Sequence, residues 1–487
     1  MRLAPQLLHE NEFHRSFVVI GIVLGIAGGF SLALALSVDA ASGFSLGPRW
    51  AALAQTHGHL QTVGFLGLII IGVALRVAPR FASARLRHPC LIPLILAALV
   101  VGVLLRAAGQ SLAEHQALAA IMAAGAWLEA IGSLIFAWLL IGSTFGALRR
   151  GNVPVLFLAS GAVWLAVQAI LGAVWLSDLA ITDGSVLPAS KNAVLLLIQI
   201  FGFHLSFLLG ITVHALPTFF NHRSPGRREA LTAWASFQIG LTVTAITFAW
   251  WATEGERLWR TENAGLLVLA AGMLLAVGLT RAWGAPSKLR PATQPIGRLP
   301  QLALGWLVVD AALLAYFAIH SYAERRPIAV VEFDSVRHLL ALGVLSIAIA
   351  GMAHIILPEF GIERLARRGR VRRAWLFGVG LSVVAATRAA PGVSSAGLPS
   401  TSDYWHMAAA AGLALLLIAW LGWLFLRAIR NQPALLADVS IQVAARRGDQ
   451  LAVEPRPAAA ASPEIIPIGD IGVDETRRTP RPTPVDP

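Results

Sequence analysis

Charge is scarce in this sequence. Only 13% of its 487 residues are Asp, Glu, Lys or Arg, roughly half the fraction usual in soluble domains. Cysteine is scarcer still: a single Cys90 excludes an internal disulfide and a thiolate metal cluster. The segment Met1 to Phe17 is polar and lacks a cleavable signal pattern, so the first apolar run is expected to stay as a helix. What fills the chain instead is apolar: 56% of residues are hydrophobic and the mean hydropathy is +0.69. Many apolar runs exceed the roughly 20 residues that cross a bilayer as a helix. Since backbone groups in lipid must bond within their own segment, the runs read as spanning helices, not strands. The formal charge of +12 does not indicate nucleic acid, because the basic residues sit in short loops between the runs.

The expected spans are 16–38, 57–79, 91–110, 119–147, 152–176, 192–219, 229–252, 262–281, 299–320, 334–358, 373–390 and 405–429. Loop charge tests that count independently. Arginines follow the even-numbered spans, among them Arg80, Arg85 and Arg87, Arg149 and Arg150, Arg223, Arg227 and Arg228, Arg281 with Lys288, and Arg364 through Arg373. The intervening loops are mixed or acidic: Asp39 with Arg49, Asp178 with Asp183, Glu254 with Glu256, Glu332 with Asp334. Basic loops thus alternate in side, which requires both termini inside. The fold expected is an all-α polytopic protein of a bacterial cytoplasmic membrane: residues 1–15 cytoplasmic, 16–430 a twelve-helix membrane domain, and 431–487 a cytoplasmic tail without helical period.

The chain also resembles itself. The second span reads His59-x4-Gly64-x7-Gly72-x6-Pro79-Arg80-Phe81, and the tenth His338-x4-Gly343-x7-Gly351-x6-Pro358-Glu359-Phe360. The sixth keeps Gly202-x7-Gly210-x6-Pro217-Thr218-Phe219 but has Leu197 in place of histidine. The copies lie four spans apart, so three four-helix units are expected (16–148, 152–281 and 299–430) around a pseudo-threefold axis. The glycine stripes would let helices, or a flat cofactor, approach closely.

Ionisable groups are costly inside a membrane and mark function there. His59 and His338 occupy equivalent places in two copies, in the outer third of the membrane. Two neutral imidazoles facing each other at one depth are what a bis-histidine haem requires; the bland reading is a pair of interfacial residues. His57 points about 200° away from His59, so the two do not share one iron, and it is a supporting group, a site of its own or an interfacial residue. His204, near mid-span, is a candidate for copper or haem; His214 and His354 read as interfacial; His406 opens the last span and is placed to orient a cofactor edge. Glu129 and Asp310, inside the fourth and ninth spans, belong either to a proton relay or to neutral or paired structural groups.

The segment His57-Gly58-His59-Leu60-Gln61 with Gly64-Phe65-Leu66-Gly67, Gly72-Val73-Ala74 and Pro79-Arg80-Phe81 resembles the second helix of proteins related to haem–copper oxidase subunit I, and among those the NnrS-type haem–copper membrane proteins. The resemblance covers most of the membrane part and none of the tail. It implies a low-spin haem, b-type by expectation, on His59 and His338. It also implies Arg388 as a propionate partner, since guanidinium suits carboxylate. It implies copper as a further cofactor, and a redox partner or small gas ligand such as nitric oxide, in denitrification or nitrosative stress. Two departures matter: Val336 stands where oxidases carry a second histidine, and residues 229–252 hold no histidine pair for copper. Oxygen reduction is therefore not expected. The other classes in view are a cofactor-free secondary transporter and a non-catalytic accessory subunit of a respiratory complex.

The alternation of loop charge is checked by labelling single cysteines, on a Cys90→Ser background, with a membrane-impermeant maleimide in intact cells. Ser42→Cys and Glu256→Cys should react and Arg85→Cys and Arg150→Cys should not; the reverse pattern would invert the topology.

Overall fold

A peptide group in hydrocarbon finds no water, so each span closes its own backbone hydrogen bonds and the outcome is helix. The computed structural model describes residues 5–112, 116–182, 184–289, 291, 294–356, 369–394 and 399–430. Among these all regular structure is helical, and twelve helices are long and apolar enough to cross a membrane. They are α1 (Arg15–Ala41), α2 (Arg49–Phe81), α3 (Pro89–Ser111), α4 (Ala117–Arg149), α5 (Val153–Ile181), α6 (Ala189–Phe219), α7 (Arg227–Glu254), α8 (Trp259–Thr280), α9 (Gln294–Ala323), α10 (Val330–His354), α11 (Val371–Val393) and α12 (Thr401–Arg427). The second expected span grows most, by eight residues at its start. Those first two turns carry Gln55 and Thr56, whose side chains bond to α3 and to the α5–α6 loop, so apolarity alone did not mark them. The expected tail, with its apolar patch at 464–468, and Arg364, Arg367 and Arg368 lie outside the described residues.

The innermost helices are α6 and α2, with 83% and 72% of their apolar windows buried against 39% for α1, α3 and α12. Both widen to π-helix midway, at Leu60–Gly67 and Ile198–Leu205, as does α10 at Leu339–Ser346. Each stretch is eight residues long and starts one residue after His59, Leu197 or His338. A fourth π-helical stretch, Gly25–Phe30, lies in α1. Such stretches misalign carbonyls relative to an α-helix and recur at functional sites.

The ends of α2 and α6 close alike. Pro79 and Pro217 accept from the amides of Ala84 and His222, both at 2.8 Å, and Ser83 and Asn221 turn left-handed at φ 50° and 57°. This is the closure that satisfies the last helical carbonyls. The third Pro-x-Phe, at Pro358, lies outside the described residues. Packing repeats as well. Gly202 sits beneath Trp164 and Gly343 beneath Trp306, where an added Cβ would meet the Trp side chain at 2.8 Å and 3.2 Å. The two indoles donate to Gln238 (2.9 Å) and Ser382 (2.8 Å) on the following pair of helices.

Gly202→Ala forces the Cβ and Cγ of Trp164, not a flexible tip, to move, so it should cost about 1–3 kcal/mol. Gly343→Ala, with more room, should cost less. Thermal unfolding in detergent checks both, and an equal or reversed effect would refute the packing account.

Candidate functional site

Two histidines two residues apart on α2 serve different sectors of the bundle, because two residues turn the helix about 200°. His57 donates from Nδ1 to the carbonyl of Gly29 (2.8 Å), in the π-helical stretch of α1. It lies within charge–charge reach of His338, Arg388 and Asp334. His59 turns the other way: its Nε2–H donates to Glu129 Oε1 of α4 at 2.8 Å, with Arg106 of α3 3.7 Å from Oε2. The structure therefore does not aim His59 at His338. Of the two α2 histidines, His57 is the one beside α10.

On α10, Asp334 is the hub. Its backbone carbonyl accepts from His338 Nδ1 at 2.8 Å, four residues on along the helix. Its carboxylate takes Arg337 on Oδ1 (2.7 Å) and Arg388 of α11 on Oδ2 (2.6 Å), with His338 Nδ1 3.3 Å from Oδ1. His57, His338, Asp334 and Arg388 are each half-buried, so their side chains are not sealed in packing. The two imidazoles are oriented alike: each spends its Nδ1–H on a backbone carbonyl, leaving Nε2 as the coordinating lone pair. Among the described residues neither Nε2 has a hydrogen-bond partner. Tyr404 of α12 lies within charge–charge reach of Arg388; His406 is exposed.

The start of α10 is anchored from outside the span. Arg326, in the loop before it, forks onto Glu332 (2.7 and 2.9 Å) and reaches Glu324 (2.5 Å). Hydrogen bonds donated to these carboxylates, Glu332 first, hold the guanidinium above its ordinary value. Asn263 of α8 donates to the Arg326 carbonyl at 2.9 Å, so the turn that aims Asp334 and His338 is fixed at both backbone and side chain.

His204 bridges the π-helical stretches of α6 and α2. Its ring nitrogens lie 2.5 Å from the Gln199 carbonyl and 2.8 Å from that of Thr62. A neutral imidazole has one N–H to donate and sets the lone pair of its other nitrogen against the second carbonyl, so neither nitrogen is left free for copper in this arrangement. Among the described residues no group of three or more His, Cys, Asp or Glu could hold a metal ion. His354 is buried, donating to Ala350 (2.7 Å) beside Phe377. His214 is exposed at the arginine-rich end, its ring 3.9 Å from that of Phe81. There it lines a cavity of about 320 Å³ with Asn152 and Arg227.

Glu129 and Asp310 part company. Glu129 is paired; Asp310, on α9, is fully buried and neither oxygen meets a donor among the described residues. Sequence reasoning passed over Arg106, Asp334 and the glutamines Gln55, Gln110 and Gln199. Arg106 was visible as a lone cation inside an apolar span, and Asp334 as a carboxylate one helical turn before His338. The glutamines carried no such signal.

The chain matches no protein-family model and no curated protein.

An unpartnered buried carboxyl is destabilising, so Asp310→Leu should stabilise the purified protein by about 1–3 kcal/mol. A fall in the thermal midpoint would mean that Asp310 has a partner that matters.

Proposed function

We propose that this chain is a haem-binding multi-pass protein of a bacterial cytoplasmic membrane, with the iron held between α2 and α10 by His57 and His338. The observation that carries the reading is the shared orientation of these imidazoles: each is locked through Nδ1–H to a backbone carbonyl, with Nε2 left to coordinate. The donor set fits the group. Arg388 beside them suits a propionate, and Asp334 holds that guanidinium and His338 in one frame. His57 here takes the place that the repeat pattern suggested for His59, because His59 is engaged by Glu129. A haem with two histidine ligands supplies one-electron transfer and has no open position for a gas. The chain's own part is to fix both rings, neutralise the carboxylates of the ligand and keep the site half-closed to water.

The resemblance to NnrS-type proteins points the same way, toward nitric oxide handling in denitrification or nitrosative stress. Three four-helix units around a pseudo-threefold axis, with both termini cytoplasmic, account for the matched π-helical registers, the matched ends of α2 and α6, and the Gly–Trp pairs. A cofactor-free secondary transporter is the competing reading. It is favoured by Asp310, a buried carboxyl without a partner.

Protein purified in detergent from haem-replete cells should show a visible spectrum that sharpens on dithionite reduction. His57→Ala and His338→Ala should each lose it and His59→Ala should keep it. A colourless, iron-free wild type would sink the haem reading. Loss in His59→Ala with retention in His57→Ala would sink the ligand assignment alone.

A further inference from the structure

On the face of α2 turned away from the proposed haem ligands, buried polar side chains form a seam. Gln55 and Thr56, His59, and Thr62 succeed one another at three-residue steps, about 4.5 Å of rise each. They face Gln110, Ser111 and Arg106 of α3, Glu129 of α4 and Gln199 of α6, and of the whole set only Gln55 and Ser111 are less than nine-tenths buried. The seam opens at the arginine-poor end. There Gln110 Nε2 donates to Gln55 Oε1 (2.9 Å) and to the Ser185 carbonyl of the α5–α6 loop (3.3 Å). Ser111 donates to Thr56 at 3.3 Å.

Between that mouth and Glu129 the protein's own hydrogen bonds run out. Gln110 Oε1, Arg106 Nε and His59 Nδ1 are buried and unpartnered among the described residues. The Arg106–Glu129 separation of 3.7 Å is a charge pair, too long for a hydrogen bond. Two acceptors, one donor and an open carboxylate oxygen along one seam are the complement of ordered water. Beyond Glu129 the seam closes. Thr62 donates to Gln199 Oε1 (2.8 Å), His204 caps the carbonyls of both residues, and Phe136, Phe203 and Phe207 pack below with no polar partner.

We propose that this seam is a hydrated proton-access path, open at the arginine-poor (outer) end and closed at the other, whose proton-accepting group is Glu129. A hydronium in the seam gives its proton to Glu129 Oε2 and leaves as water; release reverses the step by the same route. The groups facing Glu129 are His59 from α2 and Arg106 from α3, with uncharged Gln168 of α5 near Arg106. Arg106 keeps the site cationic once the carboxylate is neutralised. The path stands apart from the haem reading, because among the described residues no side-chain hydrogen bond or ion pair joins the seam to the rings of His57 or His338.

Full-length protein in sealed proteoliposomes of known orientation tests this twice. Microsecond hydroxyl-radical labelling, which marks side chains beside ordered water, should modify His59 although it is buried, and Gln110→Leu should reduce that yield several-fold. A rapid drop in outer pH, followed by infrared spectroscopy, should raise a protonated-carboxyl band that is missing in Glu129→Gln and delayed in Gln110→Leu. An equal drop in inner pH should not raise it. The proposal is overturned if His59 escapes labelling, if the band survives in Glu129→Gln, if Gln110→Leu leaves its rate unchanged, or if it follows the inner bath. Circular-dichroism melts separate a misfolded Glu129→Gln from a silent one, and the Gln110→Leu arm then decides.

Discussion

The arrangement of this molecule depends on a backbone carbonyl that is free to accept from a side chain while buried in a helix. An α-helix in hydrocarbon spends every interior carbonyl on its own ladder. A π-helical stretch relaxes that geometry, and here the carbonyls of Gly29, Thr62 and Gln199 each lie in one and each sit against a ring nitrogen of a histidine. His57 is oriented by the π-helical stretch of α1, and His204 ties those of α2 and α6 together.

The second consequence is a division of labour across one helix. His57 and His59 are too close in sequence to be far apart, yet helical rotation sends them to different neighbours. One lies within charge–charge reach of Asp334, Arg388 and His338; the other joins Glu129 and Arg106 in a buried seam. The first set has lone pairs to offer a cofactor. The second has charges that cancel and polar atoms that call for water. Breaking a buried pair strands its partner at a cost of about 3–5 kcal/mol, so the seam also fastens α2, α3 and α4 to one another.

Much of this was legible in the sequence, and the reasons differ by element. Twelve spans were readable because bilayer thickness sets a length and lipid forbids stray charge, so run length and loop arginines carry the information. The recurrence of His-x4-Gly and Gly-x7-Gly spacings foreshadowed the equal π-helical registers in α2, α6 and α10. The early start of α2 was not readable, since Gln55 and Thr56 are polar and are received there by α3 and the α5–α6 loop.

What the sequence by itself determined is the all-helical, membrane-crossing architecture and the short list of residues able to do chemistry. Those follow from local quantities: apolar length, charge position and repeat spacing. Which histidine faces which partner was decided only by tertiary structure. A carbonyl on α1 and a carboxylate on α4 are remote in sequence, and only the packing of α2 against those helices brings one ring to Gly29 and the other to Glu129.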